Sequence, residues 1–246
     1  MRAPLKCGPH IITALVGNGQ GLIMEKHPFN YQAVSKKIES LIANLRFEEA
    51  LRLYRETIGH IVGADGRVEA LAAHVGGLCF NAGKFDEAIE LLSDAVGLLG
   101  EEVSDGDDLQ MHIILANALC TRNRDPDLLR AANVLQSGFN RMRGGNERVD
   151  KKIGLHGHFG NVMSMLGAHA SGELHHCAAI ALAQKAKDRR AEELWTGNLG
   201  MNRLGADDAT HAIEHFVAAL RMADEINSGA DRPRWEAGLQ GARNPR

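Results

Sequence analysis

"FGNVMSMLGAHASGELHHCAAIALAQKAKD", residues 159–188, and "LGMNRLGADDATHAIEHFVAALRMADEIN", residues 199–227, are two versions of one phrase. Laid over each other at an offset of forty residues, Gly160 meets Gly200, Ala179 meets Ala219 and Ala183 meets Ala223. Repetition at a fixed period of this length marks a stacked array, in which each unit buries its apolar face against its neighbours. The theme recurs upstream, where Phe47-Glu48-Glu49-Ala50 and Phe85-Asp86-Glu87-Ala88 stand 38 residues apart. A weaker unit runs from Asp108 to Met142, with Asp125-Pro126 expected to supply a helix cap and a first-turn proline.

Within each unit the apolar residues follow helical spacing. Val34, Ile38, Leu41, Ile42 and Leu45 recur at intervals of three and four, and Ala50, Leu53, Tyr54 and Ile58 repeat the pattern after a short break. Ala72, Val75, Gly76 and Cys79 lead to a turn at Asn81–Lys84, then Phe85, Ala88, Leu92, Ala95 and Val96. Asp86, Glu87 and Glu90 suit the positive end of the second helix. Five helix pairs fit between Tyr31 and Ser228, so the fold class is all-α. Composition agrees: 44% hydrophobic, 24% charged and only 4% aromatic residues suit close-packed small helices better than a β-sandwich. A net charge of −3, with cations scattered among acids, gives no footprint for nucleic acid.

These residues resemble the tetratricopeptide repeats, whose first helix carries Leu-Gly and whose second carries Ala followed by an aromatic. Leu199-Gly200 with Ala212 and Phe216 matches that signature, as does Gly76 with Ala88 and Leu92, and "GKFDEAIELL" (83–92) is close to the family's commonest wording. The resemblance covers residues 31–228, in units nearer 40 than 34 residues. It implies a right-handed α-solenoid whose first helices line a concave face, acting as a non-enzymatic scaffold for a protein or peptide. By register with the family, the groove positions are Ser35, Glu39, Ala73, Phe80, Asn81, Asn161, Met165, Met201 and Leu204. Because these side chains are mostly small or apolar, the carboxylate clamp of the chaperone-binding subgroup is not supported. A groove of this kind suits an amphipathic helix or an extended apolar peptide. The same resemblance admits a ligand-responsive regulator that controls a signalling or transcription partner. Packing of the groove against a second copy of the chain is a further alternative.

Three motifs compete with that reading. "HAIEH" (211–215) has the H-x-x-E-H spacing of certain zinc peptidases, with His211 and His215 as ligands and Glu214 as base. It lacks an obvious third ligand, since Glu225 continues the same helix and Glu236 lies near the end, while Ala212 and Phe216 are the buried repeat positions. His211 and His215 therefore read as an outer helix face. His156, His158, His169, His175, His176 and Cys177 form a denser group, but neighbours in sequence point apart on a helix, so they read as ordinary polar positions. Gly17, Gly19 and Gly21 give G-x-G-x-G, not the dinucleotide fingerprint. No catalytic residue, metal or cofactor is expected.

Cys7, Cys79, Cys120 and Cys177 are widely separated, three of them in apolar helical runs, and read as reduced thiols of a cytoplasmic protein. No apolar run reaches the roughly 18 residues of a membrane span. Residues 1–30 read as an N-terminal leader, with Met24 as an alternative start, and residues 229–246, rich in Gly, Pro and Arg, as a flexible tail. No capping helix is evident beyond Ser228, which fits the repeat portion of a larger regulator.

Overall fold

The structure is a computed structural model that describes residues 31–61, 67–98, 107–142 and 148–244. The leader at 1–30, with Cys7, the glycine run and Met24, lies outside the described residues. Eleven helices are present among those described: α1 (Tyr31–Ala43), α2 (Phe47–Ile61), α3 (Arg67–Asn81), α4 (Phe85–Leu98), α5 (Asp107–Arg122), α6 (Asp127–Arg141), α7 (Val149–Met165), α8 (His169–Ala186), α9 (Arg189–Gly205), α10 (Ala209–Glu225) and α11 (Arg232–Arg243).

Each turn within a pair contains one residue with left-handed backbone. Leu45, Gly83, Asn123, Gly167 and Asp207 take φ of 60°, 74°, 48°, 76° and 60° in the five successive pairs. Glycine has no Cβ penalty there, and Asn and Asp tolerate the conformation, whereas leucine pays for it. Leu45 is 76% exposed, so its side chain gives little burial in return. Leu45→Gly is expected to stabilise the chain by about 1 kcal/mol, read as a rise in urea midpoint; a fall would mean the turn is held by the side chain.

Packing within the pairs follows one register. A residue of each first helix is answered sixteen positions later in the second: Ile38 and Tyr54, Gly76 and Leu92, Leu119 and Leu135, Gly160 and His176, Gly200 and Phe216. All five second-helix members are buried. At three of these sites close approach requires the glycine, because a Cβ would lie 2.5 Å from Leu92, 2.8 Å from His176 or 2.9 Å from Phe216. A second wedge joins successive pairs, where Trp195 fills the notch at Gly157 and Trp235, forty residues on, fills the notch at Gly197.

First helices pack backbone to backbone along the array, α1 to α3, α3 to α5, α5 to α7, α7 to α9 and α9 to α11, whereas among the described residues no two second helices bring their backbones that close, and α2 and α4 meet through the side-chain ion pair of Arg55 and Glu90. The first helices are thus the inner layer and the second helices the outer layer of an α-solenoid.

Two expectations need correction. The segment 229–246 carries α11, not a flexible tail over its whole length. Pro233 lies in the first turn, where its missing N–H costs nothing, and Trp235 is 0% exposed, so one large buried side chain outweighs the polar composition. Glu236, Gln240 and Arg243 are exposed, so the side of α11 turned away from α9 and α10 is polar. In the third unit Asp125 makes no cap; α6 begins at Asp127, whose carboxylate accepts the backbone N–H of Arg124 at 3.0 Å.

Candidate functional site

The nine groove positions do not share one fate. Ser35 Oγ donates to Glu39 Oε1 at 3.3 Å, and Glu39 meets His74 Nε2 of α3 at 2.9 Å, so this pair ties the first two repeats together on an exposed face. Ala73 and Phe80 pack against the core, Phe80 tilted on Phe85 with ring centres 5.7 Å apart, while Asn81 is exposed at the end of α3. Leu204 packs into the C-terminal apolar cluster.

Asn161, Met165 and Met201 come together. They line a cavity of about 300 Å³ between α7, α9 and α11, with Ser164, His169, Asn198, Asn202, Gly205 and Arg234 as the other walls. Met165 and Met201 are exposed, large apolar side chains. The floor is polar and fixed. Ser164 Oγ lies 2.8 Å from the Gly160 carbonyl and 2.7 Å from Asn202 Oδ1, donating to one of them, and Asn202 Nδ2 donates to the His169 carbonyl at 3.0 Å.

Arg234 closes the far side. Its Nη2 donates to Asn198 Oδ1 at 2.7 Å, and Asn198 in turn donates to the Leu194 carbonyl at 2.9 Å. No carboxylate among the described residues forms an ion pair with Arg234. Desolvation lowers its pKa, opposed by the charge of Asp231, yet a guanidinium stays protonated at neutral pH. The cavity therefore presents a guanidinium with no ion-paired carboxylate among the described residues, beside amide donors and acceptors.

Sequence reasoning missed Arg234 because it lay in the supposed tail. Asn198 and Asn202 were within reach: with Met201 they sit one turn apart on the inner helix α9.

The competing motifs resolve differently. His211 is anchored to its own helix start, with Nδ1 2.8 Å from Asp208 Oδ2 and its backbone N–H donating to Asp208 Oδ1 at 3.3 Å. His215 is half-buried, and burial lowers its pKa. The two carboxylates that could have completed a zinc site are engaged elsewhere, Glu225 with Arg189 and Glu236 with Arg232. Among the described residues no group of three or more His, Cys, Asp or Glu could hold a metal ion.

The histidines of the fourth repeat are not ordinary polar positions. His156 and His175 face each other across α7 and α8 with Nδ1 atoms 3.1 Å apart, beside Phe139 and Phe159. His176 is 0% exposed and stacks on Trp195, and His158 meets the same indole edge-on. Adjacent residues do point apart on a helix, but here each direction leads into a neighbouring helix. Cys79 and Cys120 are free thiols pushed up to about 11 by burial, whereas Cys177 is exposed. No helix among the described residues is long and apolar enough to cross a membrane.

No known family profile matches the chain, and no curated protein matches it. Solved structures do. A thermophilic TPR protein of Thermus thermophilus is 18% identical, with 85% of this chain and 99% of that one covered at a TM-score of 0.56. The apo form of RapI is 13% identical over 86% and 76%, with a TM-score of 0.68. PlcR of Bacillus thuringiensis, in complex with the peptide PapR7 and DNA, is 8% identical over 87% and 76%, with a TM-score of 0.60. At such identities the likeness is one of fold: the tetratricopeptide-like array read from the repeats.

Proposed function

We propose that this tetratricopeptide-like solenoid is a non-enzymatic, cytoplasmic protein that binds an extended peptide segment of a protein partner on its inner face. The observation that carries the reading is the cavity between α7, α9 and α11, where an unpaired Arg234 stands beside Asn161, Asn198 and Asn202, flanked by exposed Met165 and Met201. Amide side chains meet the donor and acceptor of a peptide group, methionines adapt to an apolar side chain, and a guanidinium holds a carboxylate through paired hydrogen bonds. The segment that fits is apolar with one acidic group, a side chain or a chain terminus. The peptide seated on PlcR, a similar solenoid, agrees with this use of the fold.

Capture of partners from native extract tests the reading, comparing wild type with Met165→Glu plus Met201→Glu and with Arg234→Ala. Both variants are expected to lose the captured protein, Arg234→Ala by about tenfold in affinity, with wild-type binding weakening as salt rises. The same partners retained at the same strength by both variants would refute the groove.

A further inference from the structure

We infer that the fourth repeat is an acid-sensitive joint, in which protonation of His176 drives α8 away from α7 and α9 and breaks the continuity of the solenoid. His176 occupies the column filled elsewhere by Tyr54, Leu92, Leu135 and Phe216, the side chain that presses on the first helix of its own pair. It rests on Gly160, with the ring 2.8 Å from where a Cβ would lie, and stacks on Trp195 of the next pair. Neither ring nitrogen meets a hydrogen-bond partner among the described residues. A neutral imidazole fills this space much as a phenyl ring would; an imidazolium there has no acceptor and no access to solvent.

The surroundings offer no relief. α7 presents His158, α8 itself presents His175 and α11 presents the cation Arg234, while α9 contributes the indole of Trp195. Each of the first three opposes a positive charge on His176, and no carboxylate among the described residues is a counter-influence. At the neighbouring contact, a second proton on the pair His156 and His175 would set two cations face to face. The apolar core is already divided here. One cluster runs from α1 to α7, and separate clusters hold Ile153, Ala179, Ala183 and Trp195, and Ala212, Phe216 and Trp235.

Burial lowers the pKa of His176 from its ordinary 6.5 to about 4, so the opened state binds more protons between those values. Stability of the joint is therefore full above pH 6.5 and falls as the pH drops toward 4. From this histidine alone the ratio of closed to open falls about twentyfold between pH 7 and pH 5. His156 and His158, also lowered to about 4 chiefly by burial, act in the same direction. Opening also undoes the cavity floor, because the His169 carbonyl that accepts from Asn202 of α9 belongs to α8; release of a peptide in acid follows only if the proposed function holds.

The test is acid titration of the full chain, followed by tryptophan fluorescence and far-UV circular dichroism, for wild type, His176→Phe and His176→Leu. The last two carry the residues found at this position in the other repeats. Wild type is expected to change between pH 6.5 and 4.5, and both variants to move that transition down by half a pH unit or more. Hydrogen exchange on wild type supplies a readout that needs no variant: after correction for intrinsic rates, amides of α7 to α9 should lose protection at pH 5 while those of α3 to α5 keep it. An unmoved midpoint in folded variants, or uniform protection at pH 5, overturns the joint. Neither result bears on peptide capture at pH 7.5, so the two readings fail separately.

Discussion

Trp235→Ala is expected to cost about 3–5 kcal/mol, the range for emptying a buried aromatic site, and to release α11. Trp235 is 0% exposed, wedged against Gly197 where a Cβ would lie 2.4 Å from its ring, and stacked on Phe216 at 6.5 Å between ring centres. Its indole Nε1 donates to Glu193 Oε1 at 2.6 Å, and Glu193, itself 0% exposed, is held from the other side by Arg190. Truncation leaves a cavity and a buried carboxylate with half its partners, which adds to the transfer loss. A helix of 12 residues does not persist alone in water, so losing this anchor frays the whole element. Trp235→Phe, which keeps most of the volume and loses the donor, is expected to cost about half as much. Urea unfolding followed by circular dichroism measures both, with Trp195 as the remaining fluorescent reporter. An alanine variant within 1 kcal/mol of wild type would show that α11 is not docked. Because Arg234 is the preceding residue, the alanine variant should also lose peptide capture.

The repeat period, the helix pairs and the buried pair Ala212 and Phe216 were legible in the sequence, because periodic burial writes itself into the spacing of small and large residues. Gly160 and Gly200 marked the close contacts for the same reason. Trp235 stands forty residues after Trp195, and Gly197 forty after Gly157, yet Gly, Pro and Arg around the second tryptophan hid the element. What decides its burial is the notch offered by α9, a tertiary fact that local composition does not contain. The histidines were misread for a related reason. Helical geometry says that His175 and His176 diverge, but not that α7 and α9 lie in wait on either side. All nine groove positions came from register with the family, and register does not say which inner side chains the neighbouring helices consume; Ala73, Phe80 and Leu204 were consumed.

In the middle of the array, Asp127→Ala is expected to cost about 3 kcal/mol, since it breaks a buried ion pair and leaves the cation behind. The Asp127 side chain is 2% exposed and that of Arg122 is 16%. Arg122 Nε and Nη2 donate to the two carboxylate oxygens at 2.8 and 2.6 Å, and Arg122 Nη1 reaches Asp86 of α4 at 2.8 Å. One guanidinium thus joins α4, α5 and α6, and with the backbone N–H of Arg124 it holds the Asp127 carboxyl below the usual carboxylate range. Lowering makes this contribution complete above an unfolded carboxylate pKa near 3.8, and it is lost only as the pH falls below that value. The histidines of the fourth repeat lose theirs between pH 6.5 and 4. Acid unfolding of wild type should therefore have an order, the joint at α7 to α9 first and the α4–α6 clamp below pH 4. Asp127→Ala should remove the second step, leave the first in place, and lower the urea midpoint at pH 7. A variant that shifted the first step, or unfolded at pH 7 no more easily than wild type, would show that the clamp is not what holds the second and third pairs together.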